Sequence, residues 1–126
     1  MKQTPKNVAT KVQQRVTLSC AGDVDDTMQW LVVFIDPPLT HLTLTYGNKF
    51  KNQFKDTFSL NTDGGLFALV IKSAVLSDGR TYRCKNIYEA HLQHGDAEVI
   101  VFGKTYFVHF SLTFLCCKYS NIYVFS

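Results

Sequence analysis

The chain is short of charge: Asp, Glu, Lys and Arg together make 18% of its 126 residues, below the quarter or so usual for a globular domain. The formal net charge of +3 is mild and argues against a nucleic-acid-binding surface. Catalytic signatures are missing as well. There is no Gly-x-Ser-x-Gly elbow, no phosphate-binding glycine loop and no pair of carboxylates placed for acid–base work. No catalytic residue, metal site or cofactor is therefore expected. No Asn-x-Ser/Thr sequon occurs, so N-glycosylation is not expected either. Long apolar runs are also lacking: about a dozen apolar residues ahead of Lys118 are too few to span a bilayer. Met1-Lys2-Gln3-Thr4-Pro5 is polar and does not resemble a signal peptide.

What is present is a core. Hydrophobic residues make 46% of the chain and aromatics 13%, ample for one packed domain of this length. The pattern is short segments of period-two alternation between turn residues. The first strand is expected to begin at Val12. Arg15 to Cys20 alternates, with Val16, Leu18 and Cys20 on one face. Met28 to about Ile35 reads as a strand that stops at Pro37-Pro38, which cannot donate to a ladder. Further strands are expected at His41–Tyr46, Phe58–Leu60 and Leu66–Ile71. A final hairpin pairs Thr81–Ile87 with Ala97–Phe102. No helix longer than a turn is expected.

Cys20 and Cys84 stand 64 residues apart, with Trp30 between them and Tyr82 two places before the second. With Val16-Thr17-Leu18-Ser19-Cys20, Gln29-Trp30, the stretch from Leu66 to Cys84, and Ala97 to Gly103, this order resembles an immunoglobulin-superfamily domain of the variable type (V-set). The resemblance runs from about Thr4 to Lys104. It implies an all-β, immunoglobulin-like Greek-key sandwich whose sheets are joined by a Cys20–Cys84 disulfide packed on Trp30. Two buried free thiols are the competing reading. Tyr82 would be the tyrosine corner, its hydroxyl bonded to backbone a few residues upstream. Two departures stand out. Arg80 occupies a place where glycine is usual, with Gly79 one position earlier, so the turn is expected to shift. Thr57 stands where relatives carry an arginine that pairs with Asp78, leaving Lys51 or Lys55 to make a weaker lock.

The resemblance implies a non-catalytic recognition domain, and the segment Trp30 to Ile35 suggests where it binds. With Trp30 inward, alternation sends Leu31, Val33 and Ile35 outward. Neighbouring strands add Ile87, Ile100 and Phe102, interleaved with Arg83, Lys85 and Glu98. An apolar patch rimmed by charge is what an interaction face looks like. A protein partner is expected there, including a second copy of the chain. The competing reading is that residues 105–126 cover the patch. The alternative site is the loop set 21–27, 47–55 and 88–96, which antigen receptors use, with Asp25, Asp26, Tyr88, His91 and His94 as candidates. Glu89, His91, His94 and Asp96 read as a polar hairpin tip rather than a metal site. Lys49, Lys51 and Lys55 form a small basic stripe.

Residues 1–104 are thus expected to form the domain and 105–126 an apolar tail with Tyr106-Phe107-Val108-His109-Phe110 and Phe114-Leu115-Cys116-Cys117. The tail reads as an extra strand, a truncated membrane-proximal segment or, favoured by the abrupt change of composition, non-native read-through. A later register, with the last strand at 105–110, competes with these. Adjacent Cys116 and Cys117 do not easily pair with each other, so each is a free thiol or an intermolecular link. An extracellular or cell-surface location is expected, the missing signal peptide marking a trimmed or incomplete sequence. Membrane attachment would come only through flanking segments not in the chain.

Overall fold

A computed structural model of the chain describes residues 3–22, 27–34, 39–87 and 94–103, together with the backbone of 123–124. The described residues form eleven short strands: β1 (Val8–Lys11), β2 (Val16–Leu18), β3 (Met28–Phe34), β4 (Thr40–Thr43), β5 (Thr45–Tyr46), β6 (Lys49–Phe50), β7 (Phe58–Asn61), β8 (Ala68–Ile71), β9 (Thr81–Asn86), β10 (His94–Phe102) and β11 (Tyr123–Val124). The only helical pieces among the described residues are single 3-10 turns at Asn52–Phe54, Asp63–Gly65 and Leu76–Asp78.

The strands form two facing sheets and a small hairpin. One sheet has the order β11-β1-β10-β9-β3-β4, the other β2-β8-β7, and β5 pairs with β6 alone. Inner faces meet in one core of Val16, Leu18, Trp30, Val32, Leu69, Ile71, Tyr82 and Val99, all nearly inaccessible. Period two accounts for this: Val16, Leu18 and Cys20 are buried on one side of the segment that begins with β2, as are Tyr82, Cys84 and Asn86 along β9. Phe58 adds an aromatic cluster, with ring centroids 6.1 Å from Phe50, 6.2 Å from Phe54 and 6.3 Å from Tyr82. Offset and edge contacts of this kind add to area burial.

Several element boundaries differ from expectation. The first strand lies at Val8–Lys11, ahead of Val12, and runs parallel to β10 with Val8 opposite Val99. Its partner is some ninety residues away, so no local turn announces it. The chain first bridges Gln3 to Ala21 in the other sheet and then crosses over, with Pro5, which lacks an N–H, in between. The segment His41–Tyr46 is two strands, because Leu44 turns inward, fully buried, and exchanges backbone bonds with Trp30 and Lys51. Gly47, at φ 57°, then closes the β5–β6 hairpin in a conformation that costs other residues energy. Ala68, not Leu66, opens β8, since Leu66 makes only an isolated bridge to Ala21.

Candidate recognition face and loops

Pairing across β3 and β9 fixes which side chains share a face. Trp30 stands opposite Cys84, and Val32 opposite Tyr82, all in the core. The intervening positions therefore point away from it. One outward row runs Thr43, Leu31, Arg83, Asp96, and the next His41, Val33, Thr81, Glu98. On β10 and β1 the outward set continues with Ile100 and Ala9, which are paired, and with Phe102 beside Lys11.

The direction of Leu31 and Val33 is as expected; their exposure is not. They are 3% and 4% exposed, so neither offers open surface. Both sit on a strand flanked by two others, Leu31 between Thr43 and Arg83 and Val33 between His41 and Thr81. Phe102 is also buried at 5%, while Ile100 is half-buried and Ile87 is 38% exposed. Ile35 lies outside the described residues. Across the face, Arg83 donates from Nε and Nη2 to both carboxylate oxygens of Asp96, at 2.7 and 3.0 Å. This hydrogen bonding raises the Arg83 pKa, against a smaller opposing effect of burial. A fork-to-fork pair has defined geometry, and it leaves Asp96 engaged rather than free for a metal.

Beneath that face the structural signature closes. Cys20 and Cys84 are disulfide-bonded, with Cα atoms 6.6 Å apart. The Trp30 indole donates from Nε1 to the Phe67 carbonyl at 2.9 Å, tying the two sheets together. Its backbone N–H donates to Thr45 Oγ1 at 3.0 Å. The Tyr82 hydroxyl donates to the Asp78 carbonyl at 2.7 Å, so the corner holds despite Arg80. The close backbone approach at this turn falls one place before Arg80, at Gly79, where a Cβ would stand 3.3 Å from the Leu76 carbonyl oxygen. Burial, reinforced by the Asp78 carboxylate, pushes the Tyr82 hydroxyl pKa well above its ordinary value, with Arg80 opposing. Asp78 is not locked by Lys51 or Lys55. Its Oδ2 instead accepts the Val75 N–H at 2.9 Å, and the Lys72 ammonium donates to the Lys55 carbonyl. The immunoglobulin V-set domain family matches residues 3–106. The chain belongs to that family. No curated protein matches it.

V-set domains are in general non-catalytic recognition modules that bind other proteins, typically outside the cell or at its surface. In this V-set domain the loop candidates divide. Asp25 and Asp26 of the first loop, and Tyr88 and His91 of the third, lie outside the described residues, as do Glu89 and the tail from 104 to 122. His94 is exposed but belongs to β10, opposite Lys85. The third loop is therefore shorter than 88–96, its end drawn into the ladder by pairing with β9. The second loop is the β5–β6 turn and the Asn52–Phe54 turn. There Tyr46 is 61% exposed, with the Lys51 ammonium 5.6 Å from its ring centroid, within cation–π range. Among the described residues no group of three His, Cys, Asp or Glu could hold a metal, and no helix is long and apolar enough to cross a membrane.

Three positioning residues escaped the sequence reading. Thr45 and Phe67 supply the oxygens that hold Trp30, and Asn7 Oδ1 accepts the Glu98 N–H at 2.8 Å, joining β1 to β10. Thr45 alternates with leucines in a pattern that gives no sign of its burial. Nothing local marked Asn7.

Proposed function

We propose that this V-set domain belongs to a cell-surface or secreted protein and docks a protein partner through the outer face of the sheet containing β3, β9 and β10. The observation that carries this reading is the chemistry of that face. Leu31, Val33, Ile100 and Phe102 point away from the core yet are apolar, and Arg83, Lys85, Glu98 and Asp96 fringe them. Leu31, Val33 and Phe102 are nearly inaccessible, so a partner would meet this face at exposed Ile87 and half-buried Ile100. The aligned Arg83–Asp96 pair would orient a partner more than it would add affinity.

Sedimentation equilibrium on oxidised residues 1–104 tests the self-docking form of this reading, beside an Ile87→Glu/Ile100→Glu variant. These positions are exposed or half-buried, whereas charge at Leu31 or Val33 would unfold as readily as it would block docking. A reversible dimer that the variant returns to monomer supports the face. Monomers in both forms sink self-association and move the reading to the loops, where exposed Tyr46 beneath the Lys51 ammonium favours the second loop as a ligand contact.

A further inference from the structure

Among the described residues with large exposed apolar side chains, Val75 and Leu76 are the only two adjacent in sequence, at 51% and 63% exposed. They sit in the turn that carries the chain from β8 in one sheet to β9 in the other. Hydrogen bonds fix this turn from both sides. Ala74, fully buried, donates its N–H to the Gln14 carbonyl at 2.9 Å and accepts the Gln13 N–H at 2.7 Å. Gln13 makes its bond from a φ of 70°, a strained conformation for a residue other than glycine. The Val75 N–H donates to Asp78 Oδ2 at 2.9 Å, and the Gly79 N–H to the Leu76 carbonyl at 3.2 Å. The Asp78 carbonyl accepts the Tyr82 hydroxyl. A fixed backbone thus holds two aliphatic side chains out in solvent.

The same end of the sandwich is basic. Ile71 pairs with Val16 on one side and Phe58 on the other. Arg15 and Lys72 therefore lie just beyond that row, and the Lys72 ammonium reaches the Lys55 carbonyl at 3.1 Å. Lys11 ends β1 beside Phe102, and Arg80 precedes β9. Of the carboxylates described here, Asp78 is buried and bonded to the Val75 N–H, which leaves exposed Asp56 to oppose these cations. A soluble polyanion would match the charge but offers no apolar phase for Val75 and Leu76. Two aliphatic side chains on a turn also fall far short of the roughly 800 Å² that a specific protein interface takes from each partner. A bilayer with acidic headgroups supplies both the charge and the apolar boundary.

We propose that the turn at 74–79 is a membrane-contact tip. Val75 and Leu76 enter the boundary between headgroups and acyl chains, while Lys11, Arg15, Lys55 and Lys72 attract the acidic headgroups. Such binding is weak, reversible and sensitive to salt, because it joins the burial of two aliphatic side chains to a few screened charges. The domain itself then touches the bilayer, where the sequence placed membrane attachment only in flanking segments. The proposal does not rest on the docking face. That face runs along the side of the sandwich and the tip lies at its end, so a domain seated on a membrane keeps the face open to a partner.

Co-sedimentation of the full oxidised chain with vesicles tests this, using phosphatidylcholine vesicles that contain phosphatidylserine beside pure phosphatidylcholine vesicles. Binding is expected to the acidic vesicles alone and should fall steeply with added salt. Val75→Asp/Leu76→Asp should weaken it about a hundredfold, since aliphatic burial is lost and like charge is set against the headgroups. Arg15→Ser/Lys72→Ser should weaken it about thirtyfold. All four side chains are exposed, so the variants should melt with the parent by circular dichroism. Val75→Ser/Leu76→Ser, which adds no charge, repeats the measurement if the aspartates disturb the turn, with an expected loss of about tenfold. No binding to acidic vesicles, or equal binding to both kinds, overturns the proposal. Binding that the substitutions at 75 and 76 leave unchanged overturns it as well. Sensitivity to the cations alone would then mark a patch for polyanions, and insensitivity to both a contact elsewhere in the chain. The Ile87→Glu/Ile100→Glu variant should keep its vesicle binding, so the tip and the docking face can fail separately.

Discussion

Replacing Tyr82 by phenylalanine removes one oxygen and tests the corner that closes the β9 end of the sandwich. The hydroxyl is fully buried and donates to the Asp78 carbonyl at 2.7 Å. Losing the bond costs about 1 kcal/mol net, and stranding a carbonyl away from water adds about as much again, so the expected destabilisation is about 2 kcal/mol. At about 4 °C per kcal/mol for a domain of this size, the melting temperature should drop by about 8 °C. The same group carries a pH signature. Burial and the Asp78 carboxylate raise its pKa in the folded protein above the ordinary value near 10. The unfolded chain therefore loses this proton first. Stability from Tyr82 is complete below pH 10 and is lost as pH rises beyond it, at about 1.4 kcal/mol per pH unit. The phenylalanine variant has no proton to lose at this position. The gap of about 2 kcal/mol at pH 7 should therefore close as pH climbs, with the two proteins equal near pH 11.5 or so. Urea unfolding of the oxidised proteins, followed by the fluorescence of the single Trp30, reads both effects. A variant within about 0.5 kcal/mol of the parent at pH 7, or two parallel profiles between pH 9 and about 11, would refute the reasoning.

Reducing the Cys20–Cys84 disulfide frees a 64-residue loop and should cost about 4 kcal/mol, much of a domain's stability, visible as a lower urea midpoint in dithiothreitol. Trp30→Phe removes the donor to Phe67 and leaves a void, for a loss of about 3 kcal/mol by circular dichroism; a loss below about 1 kcal/mol would mean that the indole bond does not tie the sheets. Gly95→Ala would push a methyl to within 2.7 Å of Thr4 Cβ and 2.8 Å of Pro5 Cδ. It should cost about 1–3 kcal/mol and speed exchange of the Gln3 and Ala21 amides, and an unchanged rate would show that the N-terminal segment does not press there. Arg83→Ala should cost no more than about 1 kcal/mol, because the pair is 21% and 37% exposed, and the effect should shrink in salt.

The sandwich was legible because its signals are local. Alternation along Arg15–Cys20 and Thr81–Ile87 assigns inner and outer faces wherever the neighbours fall. Cys20, Trp30 and Tyr82 then tie those faces into one arrangement, and all three are fully buried. Boundaries were harder. In Val8-Ala9-Thr10-Lys11 the strand preference of Val8 and Thr10 is offset by Ala9 and Lys11, and β10 begins at His94 because a facing β9 residue is there to pair with it. Neither fact is written in the local pattern.

By itself, then, the sequence determined the fold class, the inward set of each main strand and the disulfide frame, because a period of two and a cysteine–tryptophan–tyrosine order survive without knowledge of distant neighbours. The tertiary structure alone decided how open the outer face is. Leu31 points outward in either account, but exposure is set by what distant segments place beside and above a side chain. Thr43 and Arg83 flank it, and a strand from the far end of the chain, Tyr123–Val124, joins the sheet edge. Direction is a property of the strand, and accessibility is a property of the assembled surface.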